Sequence, residues 1–465
     1  MKKVIYILTV LCWTVFNVNA QEARPNIVLI VADDLGFADI SLHGSKQINT
    51  PNIDQLAFDG VLCTEGYTSA PVCSPSRAGF ITGRHQVKFG YDNNLGGNQP
   101  GFDPEYLGLP LSEKTIATRL KDLGYKTALI GKWHLGSLPK YHPTKRGFEE
   151  FWGYTSGGHD YFIAKENGKG YKAPIECNYK TPQKLSYITD DKGDECVDFI
   201  KRHKNEPFFL YASFNAPHTP LQATEADLKL FSHIEDKERR TYLAMVHRLD
   251  INIGRITETL KKEGLYDDTI IMFISDNGGP VNHNASVNAP YNGQKGILFE
   301  GGIHVPYIVS WPKVLPKGKK YTQTVSALDF APTMLVAAGG EITEDCQFDG
   351  VNLVPYFTGI NKKLPHEELM WKFTISAAYR KGKWKLVRLP DRMPALYDLS
   401  KDVSEQHNVS LKYQKKTEEM LKELGQWDVT LPHPVFLEGA VWKKRQLDLY
   451  DAKYQLEQPK NPKVK

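Results

Sequence analysis

The feature that most limits the fold of this chain is an alternation between short apolar runs and segments with helical spacing. It extends over residues 25–342, and the runs, rich in Val, Ile and Phe, cover residues 26–32, 127–130, 208–214 and 269–274. Such alternation is typical of a parallel β-sheet whose two faces are covered by helices. We therefore predict an α/β fold for this part of the chain.

Two of the intervening segments carry helix signals. Ser112 is predicted to cap a helix that ends at Gly124, and a second helix is predicted to end before Gly264. The apolar faces hold Ile116, Leu120 and Leu123 in the first helix, and Met245, Leu249, Ile253, Ile256 and Leu260 in the second. This spacing lets each helix bury one side against the sheet.

After about residue 360 the pattern changes to a smaller α+β unit. We predict a hairpin over residues 374–389, a helix over residues 410–425 and a loosely held tail that ends with residues 458–465. The most apolar later segment, residues 325–338, is interrupted by an Asp and a Pro. It is therefore predicted as strand, turn and core helix, not as a membrane span.

The composition is that of a globular protein. Of 465 residues, 41% are hydrophobic and 24% are charged, which excludes a disordered or collagen-like chain. Lys and Arg number 58 against 54 Asp and Glu, a net charge of +4, and the basic residues are scattered apart from short clusters such as residues 443–445. No nucleic-acid partner is predicted.

The first twenty residues have the three-part layout of a secretory signal peptide. Lys2 and Lys3 precede an apolar run from Val4 to Phe16, and small residues precede a predicted cleavage after Ala20. The run is too short to span a bilayer, although an N-terminal membrane anchor remains the alternative. We expect a periplasmic or secreted protein without stable membrane insertion.

The cysteine count after removal of the signal peptide is odd. Five remain: Cys63, Cys73, Cys177, Cys196 and Cys346. If Cys73 is set apart for the reason given below, the other four allow up to two disulfides in three connectivities. The sequence does not choose among these pairings.

Polar or reactive residues follow each of the four apolar runs at once. They are Asp33 and Asp34, Lys132 and His134, Asn215 and His218, and Asp276 and Asn277. Because the carboxyl ends of strands in an open parallel sheet form the binding crevice, these residues are predicted to meet there. The alternative for each segment alone is local, since Asp and Asn often cap helices and a lone His is often structural.

The most specific motif runs from Cys73 to Gly83 and matches C-x-P-S-R-x-x-x-x-T-G. By this motif the chain resembles the type I sulfatases of the alkaline-phosphatase superfamily, in which such a cysteine is oxidised to Cα-formylglycine by a formylglycine-generating maturation enzyme. Residues 124–136 are similar to the second signature of that family, and the resemblance covers Pro25 to Leu399.

The resemblance implies an alkaline-phosphatase-like fold, with a large mixed, mostly parallel sheet sandwiched by helices and a smaller C-terminal α+β subdomain. On this basis we predict a catalytic domain over residues 21–359 and a C-terminal subdomain with its tail over residues 360–465. The expected activity is hydrolysis of sulfate esters of carbohydrates.

The resemblance also implies one divalent cation, bound by Asp33, Asp34, Asp276, Asn277 and the modified residue 73. Carboxylate and amide oxygens suit Ca²⁺ or Mg²⁺ better than Zn²⁺, and we prefer Ca²⁺. The cation would lower the pKa of a hydroxyl on the formylglycine hydrate, with Asp276 as its proton acceptor.

The remaining roles carried over from the family concern charge and protons. One hydroxyl of the hydrate would attack sulfur, and the second would let the aldehyde reform and expel sulfate. Arg77, Lys132 and Lys295 would surround the sulfate with positive charge, and Arg77 would orient the hydrate. His134 would accept the proton that releases sulfate, whereas His218, with Lys295, would protonate the leaving oxygen.

One position departs from the family pattern, since His304 stands where related sequences usually have Arg. That departure weakens any supporting role of the position in the site. The alternative reading of the segment is a turn into the next strand.

Several residues are candidates for contacting the substrate. Trp152, His159 and Asp160 lie in a Gly-rich aromatic region and are predicted to form a sugar subsite, with a packed loop core as the alternative. Basic residues on the predicted hairpin are candidates for a further anionic sugar, unless they form a solvated face: Arg380, Lys383 and Lys385.

We expect a sulfated glycan or oligosaccharide as substrate, with a lean to galactose or N-acetylgalactosamine sulfate. Two alternatives stay open at this point. One is a phosphonate or phosphodiester hydrolase of the same superfamily, and the other is a catalytically inactive secreted glycan-binding protein.

Overall fold

The computed structural model describes residues 24–96, 103–162, 175–180 and 186–453. The predicted signal peptide and the C-terminal tail lie outside these ranges. Within them, every helix is too short or too polar to cross a membrane.

The described residues contain a large sheet, two smaller sheets and twelve α-helices. The strands are β1 Asn26–Ala32, β2 Gly60–Cys63, β3 Gly66–Tyr67, β4 Lys126–Lys132, β5 Glu150–Tyr154, β6 Glu176–Cys177, β7 Phe208–Ser213, β8 Thr269–Ser275, β9 Tyr307–Ser310, β10 Lys319–Tyr321, β11 Val325–Ser326, β12 Glu368–Phe373, β13 Ser376–Lys381, β14 Trp384–Arg388 and β15 Ala395–Asp398. The helices are α1 Pro51–Phe58, α2 Cys73–Thr82, α3 Ile116–Asp122, α4 Ile188–Arg202, α5 Glu225–Leu230, α6 Lys237–Lys262, α7 Val281–Asn284, α8 Glu300–Ile303, α9 Phe330–Ala337, α10 Val354–Phe357, α11 Gln414–Asp428 and α12 Ala440–Lys453.

The large sheet has the strand order β10-β2-β9-β8-β1-β7-β4-β5-β6. Strands β8, β1, β7, β4 and β5 run parallel, whereas β9 and β6 are antiparallel to their neighbours. Strands β3 and β11 form a short parallel pair, and β12 to β15 form a four-stranded antiparallel sheet. The predicted α/β architecture, with a smaller C-terminal unit, is confirmed.

The central strands are apolar throughout because both faces of the sheet are covered. In β1, Ile27 and Leu29 point into the core shared with α2, α3 and α9, whereas Val28 and Ile30 point into the core shared with α1, α4 and α6. Alternate residues of a strand face opposite sides, so a strand buried on both sides has no polar alternation. This is why the four apolar runs match β1, β4, β7 and β8.

Some predicted details needed correction. Ser112 does not cap α3, because Thr115 has the extended backbone of a cap residue and its Oγ1 accepts a hydrogen bond from the Thr118 N–H at 3.1 Å. The Ser112 hydroxyl instead contacts the carboxylate of Glu113. The predicted hairpin is β13 and β14, and the helix expected over residues 410–425 is α11, shifted toward the C-terminus by a few residues.

The five cysteines of the described residues are all free thiols. Cys63 and Cys346 pack as small apolar side chains in the core on one side of the sheet, and Cys196 packs in the core on the other side. The disulfides allowed by the cysteine count are therefore not formed in this structure.

Candidate active site

A crevice lies where β1, β4, β7 and β8 end, and the loops after these strands are joined across it. The Asp33 N–H donates to the Ala216 carbonyl and the Asp276 N–H to the Ala32 carbonyl, each at 3.1 Å. The parallel register of the four strands brings their polar ends to one edge of the sheet. The predicted convergence of four distant segments is therefore present.

Cys73 is the first residue of α2, a helix whose ten residues are all buried. Its Sγ lies 3.4 Å from Asp33 Oδ1 and 3.1 Å from Lys295 Nζ. Burial, assisted by the charge of Asp276, raises the pKa of the Cys73 thiol. An unmodified cysteine here would therefore be a protonated, weak nucleophile.

Arg77 lies one helical turn after Cys73 and joins several elements below the crevice. Its Nε and Nη2 both lie 2.9 Å from Asp276 Oδ2, and Nη1 donates to Ser213 Oγ at 2.7 Å and to the Tyr211 hydroxyl at 3.1 Å. The guanidinium is fully buried. Arg77 therefore holds Asp276 in place as well as supplying positive charge.

Two lysines pair with the two carboxylates that follow β1. Lys132 Nζ lies 2.7 Å from Asp33 Oδ2, and Lys295 Nζ lies 2.7 Å from Asp34 Oδ1. Burial opposes ionisation of Asp33, but Lys132 and the other nearby cations hold the pKa of its carboxyl well below the usual range. Burial, reinforced by the charge of Asp33, raises the pKa of Asp276 to about 6.

The oxygen donors at the crevice floor fit a hard divalent cation. Ligand atoms of Asp33, Asp34, Cys73 and His218 lie within 4.8 Å of one another. The Asn277 amide donates to Asp34 Oδ1 at 2.7 Å, while its buried Oδ1 has no hydrogen-bond partner among the described residues. A buried amide oxygen without a donor, beside clustered carboxylates, has the chemistry of a Ca²⁺ or Mg²⁺ ligand.

The two histidines of the site make different contacts. His134 has a left-handed backbone with φ 60° and its Nε2 lies 2.8 Å from the Leu95 carbonyl oxygen. His218 Nε2 lies 3.5 Å from Asp34 Oδ2, and its Nδ1 contacts the Thr219 carbonyl oxygen. Burial lowers the pKa of both imidazoles, and the charge of Lys132 lowers that of His134 further. A neutral imidazole is free to accept a proton.

Sequence reasoning missed a third lysine near the site. Lys192 on α4 is fully buried, and its Nζ lies 2.5 Å from Asn215 Oδ1 and 5.0 Å from the centre of the Tyr154 ring. Burial lowers the pKa of Lys192 well below its usual range. Its signal in the sequence is a lysine four residues from Ile188 and four from Cys196, within the apolar stripe of a helix.

Two of the three predicted sugar contacts, Trp152 and His159, are buried, which favours the packed-core alternative for them. Trp152 lies in β5, is 1% exposed and packs in the core of the sheet, so its face is not available to a sugar. His159 is buried too, with its ring stacked on Tyr154 and its Nδ1 2.8 Å from the main-chain oxygen of Asp160. The half-buried Asp160 stays a prediction, and its carboxylate is 3.5 Å from Gln222 Nε2.

The cations of the hairpin are engaged in ion pairs. Arg380 pairs with Glu65, and Lys383 pairs with Asp398 at 2.8 Å. Lys385 is fully buried and bridges two carboxylates of other segments. Burial contradicts both the sugar contact and the solvated face predicted for Lys385, whereas for Arg380 and Lys383 the sugar contact stays a prediction.

His304 belongs to the same buried region as Lys385 and not to the crevice. It follows α8 and leads toward β9, as the alternative reading predicted. Its Nδ1 lies 3.0 Å from Glu300 Oε2, and its Nε2 lies 2.8 Å from the Thr64 carbonyl oxygen.

Comparisons with known proteins identify the family of the chain. The family model described as Sulfatase matches residues 25–340, and the model described as N-sulphoglucosamine sulphohydrolase, C-terminal, matches residues 293–429. Arylsulfatase J of Mus musculus is 34% identical over 402 residues, covering 79% of this chain and 65% of the relative. N-acetylgalactosamine-6-sulfatase of Sus scrofa is 34% identical over 370 residues, covering 75% of this chain and 69% of the relative.

A solved structure extends the comparison over most of the chain. The crystal structure of Ps i-CgsB in complex with k-i-k-neocarrahexaose matches with a TM-score of 0.83 and 36% identity, covering 93% of this chain and 98% of that one. The chain thus spans about two thirds of the length of the curated relatives and nearly all of this solved one. The predicted fold is confirmed by these matches.

Proposed function

Because the chain belongs to the sulfatase family, we propose that it hydrolyses sulfate esters of carbohydrates at the crevice described above. The observation that carries the proposal is the placement of Cys73, first in a buried helix and beside both Asp33 and Lys295. That position combines the maturation motif with the charges that a sulfate ester requires.

Two groups that the family implies would complete this site. A formylglycine made from Cys73 would supply the nucleophile, and a divalent cation on Asp33, Asp34, Asp276 and Asn277 would supply a Lewis acid. We propose Ca²⁺, with Mg²⁺ as the alternative, because all four protein donors are oxygens. The orphaned Asn277 Oδ1 supports this donor set.

The residues of the chain itself bind and orient the anionic substrate. Lys132 and Lys295 would attract the sulfate oxygens, and both are already fixed by ion pairs with Asp33 and Asp34. Fixed cations need little reorganisation when charge develops, so they stabilise the transition state more than mobile ones. Arg77, buried below, would keep Asp276 ionised and oriented.

Protons would be moved by the two histidines. The imidazole of His134, kept neutral by burial and by Lys132, would accept a proton at the sulfate side. His218 and Lys295 both face Asp34; the Lys295 ammonium would supply the proton for the leaving alcohol oxygen, and the imidazole of His218 would relay it. Loss of either histidine is expected to lower kcat more than it changes KM.

We also propose a substrate with sulfated galactose or N-acetylgalactosamine units. Support comes from the relative that is an N-acetylgalactosamine-6-sulfatase and from the solved neighbour that binds a neocarrahexaose. A panel of N-acetylgalactosamine 6-sulfate and carrageenan-type oligosaccharides tests this choice. Equal or higher kcat/KM on unrelated sulfated sugars would reject it.

The export and maturation of the protein are part of the proposal. We propose removal of residues 1–20, delivery to the periplasm or the medium, and modification by a formylglycine-generating enzyme, with the domain division placed after residue 359. The N-terminal sequence of protein recovered from its own host tests the cleavage after Ala20.

Mass spectrometry of one peptide tests the nucleophile. Trypsin releases residues 47–77, a peptide that contains both Cys63 and Cys73. After treatment with iodoacetamide, the modified protein should carry one alkyl group and an aldehyde or its hydrate, because only Cys63 remains a thiol. A peptide alkylated at both positions, from fully active protein, would reject formylglycine.

Kinetics distinguish the proposed reaction from the alternatives. The ratio of kcat/KM on an aryl sulfate to that on an aryl phosphate should exceed one by a wide margin in the modified enzyme. A preference for phosphate or phosphonate esters would overturn the assignment. Glycan binding without turnover by fully modified protein would point to the non-catalytic alternative.

A further inference from the structure

The C-terminal helix α12 lies against the segment that carries Lys295. The hydroxyl of Tyr450 accepts a hydrogen bond from the Leu298 N–H at 2.9 Å, and its ring lies 5.7 Å from that of Phe299. The Leu449 side chain lies 3.8 Å from the position that a Cβ on Gly296 would take. One side of α12 therefore contacts the residues immediately after Lys295.

A second set of contacts ties α12 to the start of α2. The Gln446 amide donates to Glu438 Oε2 at 3.2 Å, and Glu438 Oε1 accepts from the Asn94 N–H at 3.2 Å. Asn94 Oδ1 in turn accepts from the Ser74 N–H at 3.1 Å. Since Ser74 adjoins Cys73, α12 is anchored on both sides of the Cys73 and Lys295 pair.

Arg445 lies on α12 just before the residues that make these two sets of contacts. It precedes the buried Gln446 by one residue and Leu449 by one helical turn. Its guanidinium carbon lies 4.8 Å from the centre of the Trp442 ring. Arg445 forms no ion pair with a carboxylate of the described residues, whereas its neighbour Lys444 pairs with Asp448 at 2.9 Å.

Arg445 lies one helical turn before Leu449, which contacts Gly296 beside Lys295, and the pKa shifts are consistent with this position. Burial lowers the pKa of Arg445, and the Asp34 carboxylate opposes that fall. Burial also lowers the pKa of His283, and the charges of Arg445 and Lys295 lower it further. The charges of Arg445 and Lys295 thus both act on His283.

We propose that Arg445 and Trp442 form a second subsite, which binds an anionic sugar next to the unit that carries the scissile sulfate. The planar guanidinium matches a sulfate or carboxylate group with two hydrogen bonds, and an indole ring stacks on the face of a sugar. A half-buried guanidinium without a protein carboxylate gains a counter-ion when such a sugar binds. This inference rests on the proposed sulfatase function, because the crevice must first hold a sulfated glycan.

The test compares two variants on three substrates. The variants are Arg445→Ala and the matched control Lys444→Ala, and the substrates are an aryl sulfate, a carrageenan-type hexaose with one sulfate, and a hexaose with sulfates on adjacent sugars. For Arg445→Ala we expect KM for the multiply sulfated hexaose to rise at least tenfold, with kcat within twofold and the aryl sulfate unchanged. Lys444→Ala should leave all three unchanged.

Two outcomes overturn this subsite. One is an unchanged KM for Arg445→Ala on the multiply sulfated hexaose, and the other is an equal loss on the aryl sulfate, which would indicate a distorted crevice. A hexaose carrying a carboxylate in place of the second sulfate distinguishes the two sources of negative charge.

The failure of the proposed function would look different, because the wild-type modified enzyme would then turn over none of the sulfate esters. In that case the dissociation constants of the two hexaoses for wild-type and Arg445→Ala protein decide the matter. A tenfold weakening confined to the multiply sulfated hexaose supports the subsite, and equal constants overturn it.

Discussion

Two buried groups of charges in this protein use the same residue types for different purposes. The crevice cluster consists of Asp33, Asp34, Asp276, Arg77, Lys132 and Lys295, and the tether cluster consists of Glu300, Glu405 and Lys385. In the tether cluster, Lys385 Nζ lies 2.7 Å from Glu300 and 2.8 Å from Glu405. It joins β14 of the antiparallel sheet to α8, just before the large sheet resumes at β9.

The two clusters differ in access and in unsatisfied donors and acceptors. The side chains of Lys295 and His218 at the crevice are 10% and 19% exposed, whereas those of the tether cluster are at most 2% exposed. The crevice also contains Asn277 Oδ1, which has no hydrogen-bond partner among the described residues; Glu405 Oε1 of the tether cluster has none either, but it lies 2.8 Å from the Lys385 ammonium. Buried charge alone therefore does not identify a functional site, but reachable charge beside an unsatisfied ligand atom does.

The pKa shifts, like burial, do not identify the functional site by themselves. Burial raises the pKa of Glu405 to about 8, with Lys385 opposing the rise, while Lys385 and His304 outweigh burial to lower the pKa of Glu300. Asp33 and Asp276 split in the same manner at the crevice. Pairs of carboxyl groups with shifted pKa values occur in both the crevice cluster and the tether cluster. Such shifts therefore do not distinguish a catalytic site from a structural one.

The largest difference between the two clusters is expected from Cys73→Ala. This change removes the proposed nucleophile at the crevice and leaves the charges of both clusters in place. We expect kcat/KM on an aryl sulfate to fall at least about a thousandfold. The Tm should change little because only one sulfur atom is lost from the end of a helix. Cys177→Ser, at a half-buried thiol far along the sequence, serves as control, and activity of Cys73→Ala within tenfold of wild type would contradict the assignment.

Chelation tests the crevice cluster as a cation site. EDTA should inactivate the enzyme about a hundredfold or more, and Ca²⁺ should restore activity. A cation present at about 100 times its Kd stabilises the fold by about 2.7 kcal/mol, so Tm should also fall on chelation. Asn277→Ala should weaken the response of Tm to Ca²⁺. Full activity and unchanged Tm after exhaustive dialysis with chelator would rule out the cation.

The sequence predicted the crevice cluster well because a contiguous motif and the strand ends mark it. Cys73 and Arg77 stand in one motif, and Asp33, Lys132 and Asp276 follow apolar runs whose sheet pairing is predictable. Lys192 escaped notice because a single lysine on a helix is usually solvated. Its burial depends on Asn215 at the end of β7, which no local pattern indicates.

The tether cluster and the burial of Trp152 could not be predicted from the sequence, for the same reason. Lys385 pairs with Glu300, which lies 85 residues earlier in the chain. The hairpin sequence alone therefore predicts an exposed lysine. Trp152 looked like a loop aromatic, but the segment pairs with β4 and β6 and becomes a strand. Both errors concern long-range pairing, which decides burial and is invisible in a local window.

Lys385→Ala tests the tether cluster and should act on stability more than on catalysis. The change leaves Glu300 and Glu405 facing each other without a cation, and breaking a buried ion pair in this way costs about 3–5 kcal/mol. Urea unfolding measures that loss, and kcat/KM on an aryl sulfate at low temperature should stay within a few-fold of wild type.

The matched comparison for this stability test is a triple variant, Lys385→Met with Glu300→Gln and Glu405→Gln. It removes all three charges and should recover a large part of the lost free energy of unfolding. A loss below about 1 kcal/mol for Lys385→Ala would mean that water reaches the cluster and that its burial has no structural importance.

A glycine pair above the two histidines offers a finer test of the crevice. A Cβ on Gly157 would lie 2.5 Å from His134 Nε2, whereas a Cβ on Gly158 would lie 3.5 Å from His218 Cε1, an ordinary contact. Gly157→Ala should therefore displace the His134 ring and lower kcat by about tenfold to a hundredfold. Gly158→Ala is the control and should stay within about threefold. Equal effects of the two changes would show that the loop, not His134, is disturbed.

The smallest expected effect belongs to Lys383→Ala. Lys383 is 48% exposed and pairs with Asp398 at the surface of the hairpin, next to the tether cluster but outside it. An exposed ion pair contributes at most about 1 kcal/mol, because water and side-chain freedom compete with it. The free energy of unfolding should thus fall by no more than that amount, and KM for every sulfated oligosaccharide should be unchanged. A several-fold rise in KM would indicate that Lys383 contacts the substrate. The ion pair with Asp398 would then have to open when a glycan binds.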